Sequence, residues 1–203
     1  MEACHQAGVH ILTLYAFSTE NWQRPRTEVS ALMKLFGDTI DREVGELHEN
    51  GVQIRVFGDR ARLSPSLQAK VAQAETLTAN DTSAILNVAI NYGGRGEIVA
   101  AIRELATAGT DLRELDEATL SQALYTGGLP DPDLIVRTAG EFRISNFLLW
   151  QAAYAELYVT DTLWPDFGES AIHDALYDFS CRERKFGAVP DGSIESGRDT
   201  PAR

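Results

Sequence analysis

The chain's 203 residues, 44% hydrophobic and 24% charged, suffice for one domain with a sizeable core. A net charge of −12 argues against nonspecific nucleic-acid binding and a basic membrane-surface helix, so an anionic substrate would need a local basic pocket. Cys4 and Cys181 offer neither metal-ligand spacing nor a disulfide framework, and no signal peptide or run of about 18 apolar residues is present, which predicts a soluble, cytoplasmic protein.

In chain order, residues 1–8 read as the tail of a helix closed by Gly8. Residues 9–17, β-branched and aromatic, read as a strand buried on both faces of a parallel sheet. Residues 18–25 (S-T-E-N-W-Q-R-P) form a polar loop at its C-terminal end. Loops there often carry function, but this one also reads as a simple lead into a helix, with Trp22 a lid over the core. Residues 27–50 make the longest helix, capped at Thr27 or the residue before it and stopped by Gly51. Val29, Leu32, Met33, Leu35, Phe36, Ile40, Val44 and Leu47 recur at helical spacing. That stripe, roughly 36 Å long at ~1.5 Å per residue, either packs on a sheet or walls a tunnel for a long hydrocarbon.

Residues 52–57 are the next strand, and Ser64 and Pro65 open a helix to about residue 78. Residues 83–90 form another inner strand, leading through N-Y-G-G-R-G (91–96) to a helix over 97–108. Those glycines let backbone amides approach phosphate, or serve tight strand-to-helix packing. Asp116 caps a short helix to 124. After the turn-forming Pro130 to Asp133, residues 134–136 read as a buried strand. Arg137 then sits at that strand's C-terminal end, where open α/β sheets put their ligands. With Arg143 and Ser145 it suits a diphosphate, because guanidinium grips phosphate through paired hydrogen bonds. The alternative is surface pairing of both arginines with Asp133, Glu141 or Glu156. Residues 157–159 are the last strand, 171–186 the final helix with Ile172, Leu176 and Phe179 inward, and 188–203 a disordered tail beyond a domain of residues 1–187. The alternation predicts an α/β fold, a mostly parallel central sheet with helices on both faces.

Three segments together go further: residues 12–25 (L-T-L-Y-A-F-S-T-E-N-W-Q-R-P), 91–95 (N-Y-G-G-R) and 137–156 (R-T-A-G-E-F-R-I-S-N-F-L-L-W-Q-A-A-Y-A-E). In this order they closely resemble the bacterial cis-prenyltransferases, the undecaprenyl diphosphate synthase family, over about residues 5–187. The resemblance implies repeated condensation of isopentenyl diphosphate onto an allylic diphosphate with cis geometry, with Mg²⁺ and as a homodimer, giving a lipid-carrier precursor delivered to a membrane. Arg137, Arg143 and Ser145, with Ile144 between the last two, match the isopentenyl diphosphate site, and Glu156 matches a Mg²⁺ carboxylate. Ser18, Thr19, Glu20, Trp22 and Arg24 match the loop that closes over the substrates. Asn21 matches the position proposed to accept the lost proton. A neutral amide is a poor base, so orienting a diphosphate oxygen is the alternative role. The growing chain needs an apolar channel, for which Leu32, Leu35 and Phe36 with Ala16 and Ala84 are the candidate lining.

The match has gaps. The family's opening strand and its D-G-N-G-R-W loop, whose Asp serves Mg²⁺ and catalysis, are missing from these residues, which implies that Met1 is an internal methionine. Such a chain would lack half the diphosphate site and a central strand, leaving its activity in doubt. The rival reading is a non-catalytic member that binds a prenyl diphosphate or supports an active partner subunit. Phe142 stands where some relatives have a metal-proximal histidine, and R-E-R-K-F-G (182–187) resembles the family's end near the partner subunit or a plain basic helix terminus. A nucleotide-binding domain is disfavoured by the lack of a glycine fingerprint.

Overall fold

The computed structural model describes residues 1–183. The expected close of the last helix at 184–186, the basic terminus at 184–187 and the tail at 188–203 lie outside the described residues.

α1 (Glu2–Gln6) ends before Gly8, whose N–H closes on the His5 carbonyl at 3.0 Å with φ 80°. This is left-handed backbone that glycine adopts without a Cβ clash. β1 (Ile11–Ser18), β2 (Val52–Phe57) and β3 (Ala84–Tyr92) then make a parallel sheet in the order β1-β3-β2. Leu14 and Val56 flank Val88 in register, so one face carries Leu12, Leu14, Ile54, Val56, Leu86 and Val88. α2 (Arg26–Glu49) and α3 (Pro65–Leu77) cover that face, and Phe17, Val29, Leu67 and Val71 complete its core. Leu32, Met33, Phe36, Ile40, Val44 and Leu47 of α2 pack against it, so most of the long helix's stripe meets the sheet. Leu35 stands off the stripe, 58% exposed. The opposite face is aromatic: Tyr15, Phe57, Tyr92, Tyr125 and Phe147 surround Ala89.

α4 (Gly94–Thr107) packs with α5 (Glu117–Ala123) through Ala101, Leu120 and Leu124. Asp116 caps α5, accepting the Thr119 N–H at 2.8 Å. β4 (Leu134–Arg137), β5 (Glu156–Val159) and α6 (Glu169–Ser180) complete the α/β architecture that the alternation predicted.

Five expectations need correction. Among the described residues the parallel strands form two sheets, β4 pairing only with β5. β1 is not buried on both faces: only Phe17 is buried and Ala16 is exposed, because β1 is an edge strand bonded to β3 alone. In β4 likewise only Ile135 is buried. α4 opens at Gly94 rather than Glu97, because a distant side chain caps it, as shown below. α6 ends at Ser180, and Arg182, beyond it, reaches Glu156 at 2.9 Å and the Leu157 carbonyl at 3.1 Å.

The outer edge of β2 is closed by side chains. Thr78 Oγ1 accepts the Ile54 N–H at 3.0 Å, Glu75 accepts the Val56 N–H at 2.8 Å, and Arg60 donates to the Val56 carbonyl. Such capping blocks further strand pairing at that edge.

Candidate functional site

The candidate residues lie on loops following β1, β3 and β4. After β1, residues Thr19–Gln23 make a 3-10 turn in which Ser18 and Asn21 form a capping box. Asn21 Oδ1 accepts the Ser18 N–H at 2.9 Å. Its amide oxygen is thus already engaged by a backbone donor, which further weakens it as a proton acceptor. Trp22 is anchored: Nε1–H donates to Asn91 Oδ1 at 2.6 Å, the ring meets Phe17 edge-to-face at 5.3 Å, and the Arg62 guanidinium lies 4.5 Å from its centre. Arg24 pairs with Glu28 at 2.8 Å, both half-exposed. Burial pushes the Glu20 carboxyl up, but hydrogen bonds from its own backbone, Ser18, Asn146 and Thr19 outweigh that and hold it below the ordinary carboxylate range. Tyr15 at the base of this loop is pushed up to about 12 by burial and by the Glu20 charge.

After β3, Asn91 is 2% exposed and donates through Nδ2 to the Asp59 carbonyl at 2.6 Å. The glycines that follow admit another loop rather than a phosphate. A Cβ on Gly93 would lie 2.6 Å from Asn146 Nδ2 and 2.9 Å from Thr19 Oγ1, and one on Gly94 would lie 2.9 Å from Leu149 Cγ. The Gly94 N–H goes to the Asn146 carbonyl at 2.7 Å and the Arg95 N–H to Asn146 Oδ1 at 2.9 Å. Asn146 is therefore the cap of α4, whose own N-cap residue Gly93 has no side chain to offer. Glu97, 3% exposed, accepts from Tyr92 Oη at 2.6 Å, the Tyr125 N–H at 2.9 Å and Gln151 Nε2 at 3.2 Å, joining three segments around one carboxylate.

After β4, the Ala139 and Gly140 N–H groups bond to the Thr162 and Thr160 carbonyls, fixing the loop to the segment that leaves β5. Arg137 and Arg143 both close on Glu141, Arg137 with a short hydrogen bond. Hydrogen bonds from Arg137 and then Arg143 hold the Glu141 carboxyl below its ordinary range. Arg137 Nε is buried without a partner, a donor whose orphaning is costly unless a ligand or water meets it. Ser145, Asn146 and Leu148 have φ of 49°, 64° and 44°. Asn tolerates that region, whereas at Ser145 and Leu148 such strain costs about 1–3 kcal/mol each and clusters at functional sites. Ser145 is exposed, Ile144 half-buried, and Phe147 stacks on Tyr15 at 4.6 Å, holding the loop against the aromatic face.

The surface-pairing alternative holds for both arginines, yet it also brings them together: the two guanidiniums share one carboxylate. The loop of residues 18–24 meets the third loop where Asn146 Nδ2 donates to Glu20 Oε1 at 3.1 Å. Glu156 is not brought to the arginines. It pairs in register with Leu134, at the opposite end of β4 from Arg137, about 10 Å away at ~3.3 Å per residue. Its carboxylate is held by Arg182 at 2.9 Å. Among the described residues no three His, Cys, Asp or Glu side chains group as a metal site, so these residues do not by themselves assemble a Mg²⁺ ligand set. Phe142 is 83% exposed and carries no metal donor.

Of the candidate channel residues, Leu32 and Phe36 face the core, Ala84 is buried at the start of β3, and Ala16 and Leu35 are exposed. A cleft of about 710 Å³ opens at the C-terminal ends of β2 and β3, lined by Phe57, Asp59, Glu97, Tyr125 and others, with Thr19 at its rim. It contains neither Arg137 nor Arg143. Glu141 is legible as a pairing partner of both arginines, but nothing in the sequence marks Asn146 or Glu97 as a residue that joins the loops; the adjacency of S-N-F to a glycine pair is visible only once the loops are folded.

A family model described as "Putative undecaprenyl diphosphate synthase" matches residues 1–187. The chain is 53% identical over 195 residues to the ditrans,polycis-undecaprenyl-diphosphate synthase ((2E,6E)-farnesyl-diphosphate specific) of Pseudomonas aeruginosa, covering 94% of this chain and 78% of that relative. It is 46% identical over 193 residues to an isoprenyl transferase of Clostridium tetani, covering 93% and 76%. Among solved structures, lavandulyl diphosphate synthase from Lavandula x intermedia, in complex with dimethylallyl diphosphate, superposes with TM-score 0.87 at 38% identity, covering 92% of this chain and 82% of that one. A probable undecaprenyl diphosphate synthase from Campylobacter jejuni superposes with TM-score 0.84 at 36% identity, covering 92% and 88%. With the three loop motifs knotted together at the strand ends and matches of this extent, the chain belongs to the undecaprenyl diphosphate synthase family of prenyltransferases.

Proposed function

We propose that this chain condenses isopentenyl diphosphate onto an allylic diphosphate, building a cis-polyprenyl diphosphate of undecaprenyl type. The observation that carries the reading is the closure of Arg137 and Arg143 on one carboxylate at the end of a parallel strand. A diphosphate offers more charge and more acceptor oxygens than Glu141, so it takes over both guanidinium forks. The Arg137 Nε–H and the exposed Ser145 hydroxyl are further donors within the same loop.

In the reaction the allylic carbon–oxygen bond breaks as the double bond of isopentenyl diphosphate attacks that carbon, and one proton leaves to form the new double bond. Once they have exchanged Glu141 for the isopentenyl diphosphate headgroup, the two arginines hold it in place through the chemical step. Ser18, Thr19, Glu20, Trp22 and Arg24 act as the loop over the substrates, with Trp22 pinned as its hinge by Asn91 and Phe17. Asn21, its oxygen on the Ser18 N–H, orients a phosphate oxygen rather than taking the proton itself. The tail runs along the half-buried Leu12, Leu14, Leu86 and Val88, on the sheet face that α2 covers.

Mg²⁺ belongs to the same proposal as a hard cation carried largely by diphosphate oxygens. Glu156 is the residue of this chain that the resemblance assigns to it, and its carboxylate must first leave Arg182. A homodimer working in the cytoplasm, with no helix among the described residues long and apolar enough to cross a membrane, completes the reading. Incubation with labelled isopentenyl diphosphate, farnesyl diphosphate and Mg²⁺ should give labelled polyprenyl products. Absence of both product and isopentenyl diphosphate binding would overturn it.

A further inference from the structure

We infer that Asn146 is a positioning residue that latches the substrate loop of residues 18–24 to the diphosphate-gripping loop through the N-terminus of α4. Its consequence rests on the functional reading above, but its geometry stands alone. All three polar groups of Asn146 beyond its N–H are spent on other segments. The carbonyl takes the Gly94 N–H at 2.7 Å, Oδ1 takes the Arg95 N–H at 2.9 Å, and Nδ2 donates to Glu20 Oε1 at 3.1 Å. A donor on one side and a carboxylate on the other fix which end of the amide is nitrogen. Asn tolerates the left-handed φ of 64° found here better than most residues. The bare α-carbons of Gly93 and Gly94 leave the room it needs, since a Cβ on Gly93 would lie 2.6 Å from Nδ2.

The amide has two separable jobs. As an acceptor it caps α4; as a donor it holds Glu20. An aspartate in its place keeps the first, being a good helix cap, and destroys the second by setting a carboxylate against a carboxylate. Adding Glu20→Gln then restores the bond with its direction reversed, the introduced amide donating to the introduced carboxylate. No generic packing role predicts this pattern.

The test is amide hydrogen exchange on the ligand-free chain, with inorganic pyrophosphate binding by calorimetry beside it. Asn146→Asp should raise exchange of residues 18–24 about tenfold, the loss of one charge-assisted hydrogen bond, while α4 stays protected. Glu20→Gln with Asn146→Asp should return exchange close to the starting level. Glu20→Ala, which leaves α4 untouched, should loosen the same segment even where Asn146→Asp fails to fold. Unchanged exchange of residues 18–24 in Glu20→Ala, or in a folded Asn146→Asp, overturns the latch, as does failure of the double variant to restore protection. If the unsubstituted chain binds no pyrophosphate, the functional reading fails while the exchange data still decide the latch.

Discussion

Glu141 is where the two readings of the arginines meet. It balances Arg137 and Arg143 in the ligand-free protein, and those hydrogen bonds, Arg137's first, keep its carboxyl below the ordinary range. A carboxyl whose pKa is depressed contributes its stabilisation above its unfolded value, near about 4.3, and loses it as pH falls through the depressed folded value. An NMR titration of the Glu141 side chain should therefore show a midpoint below that of a free glutamate. Saturating pyrophosphate should raise that midpoint by drawing the guanidiniums away; an unmoved midpoint would mean the arginines do not exchange one anion for the other. Trp22 separates structure from binding in a different way. Its indole N–H satisfies Asn91 Oδ1, which sits in a residue only 2% exposed. Trp22→Phe should lower unfolding stability by about 1–3 kcal/mol even without ligand, because a buried acceptor is orphaned. No loss in thermal or urea unfolding would assign Trp22 to the ligand alone.

At the scale of elements, the local signals are legible in the sequence and the long-range ones are not. Gly8, Gly51, Ser64 with Pro65, and Asp116 mark helix ends that the structure bears out. Each acts within a turn of its own position, so sequence suffices. The start of α4 escapes such a reading because its cap, Asn146, comes from a loop 51 residues on, and nothing local announces that. The division into two sheets and the half-burial of β1 depend on which strands pair, which apolar content does not encode. The glycines of N-Y-G-G-R-G read equally as a phosphate cradle or as close packing; the approaches of Asn146 at 2.6 Å and Leu149 at 2.9 Å assign Gly93 and Gly94 to packing, whereas a Cβ at Gly96 would meet nothing within 4 Å. Gly93→Ala should accordingly cost about 1–3 kcal/mol from overpacking, read in denaturant unfolding. Wild-type stability would show that Asn146 and Thr19 yield freely.

For the whole molecule, three loops from the C-terminal ends of parallel strands meet at Asn146, with Phe147 of the third loop on the aromatic face of the sheet and α2 on the opposite, aliphatic face. On the proposed reading, with Glu156 about 10 Å along the sheet from Arg137 and no metal-ligand cluster among the described residues, Mg²⁺ enters with the diphosphate oxygens. Chelation with EDTA should thus abolish condensation while leaving the unfolding midpoint nearly unchanged; a large drop in stability would reveal a resident metal.

Central to the proposed function is that Arg137 and Arg143 together bind one diphosphate. Calorimetric titration of isopentenyl diphosphate into the chain and its Arg143→Ala variant tests this directly. Removal of one hydrogen-bonded charge should weaken binding by about 2–3 kcal/mol, with folding intact. Equal affinity in the two proteins would contradict it.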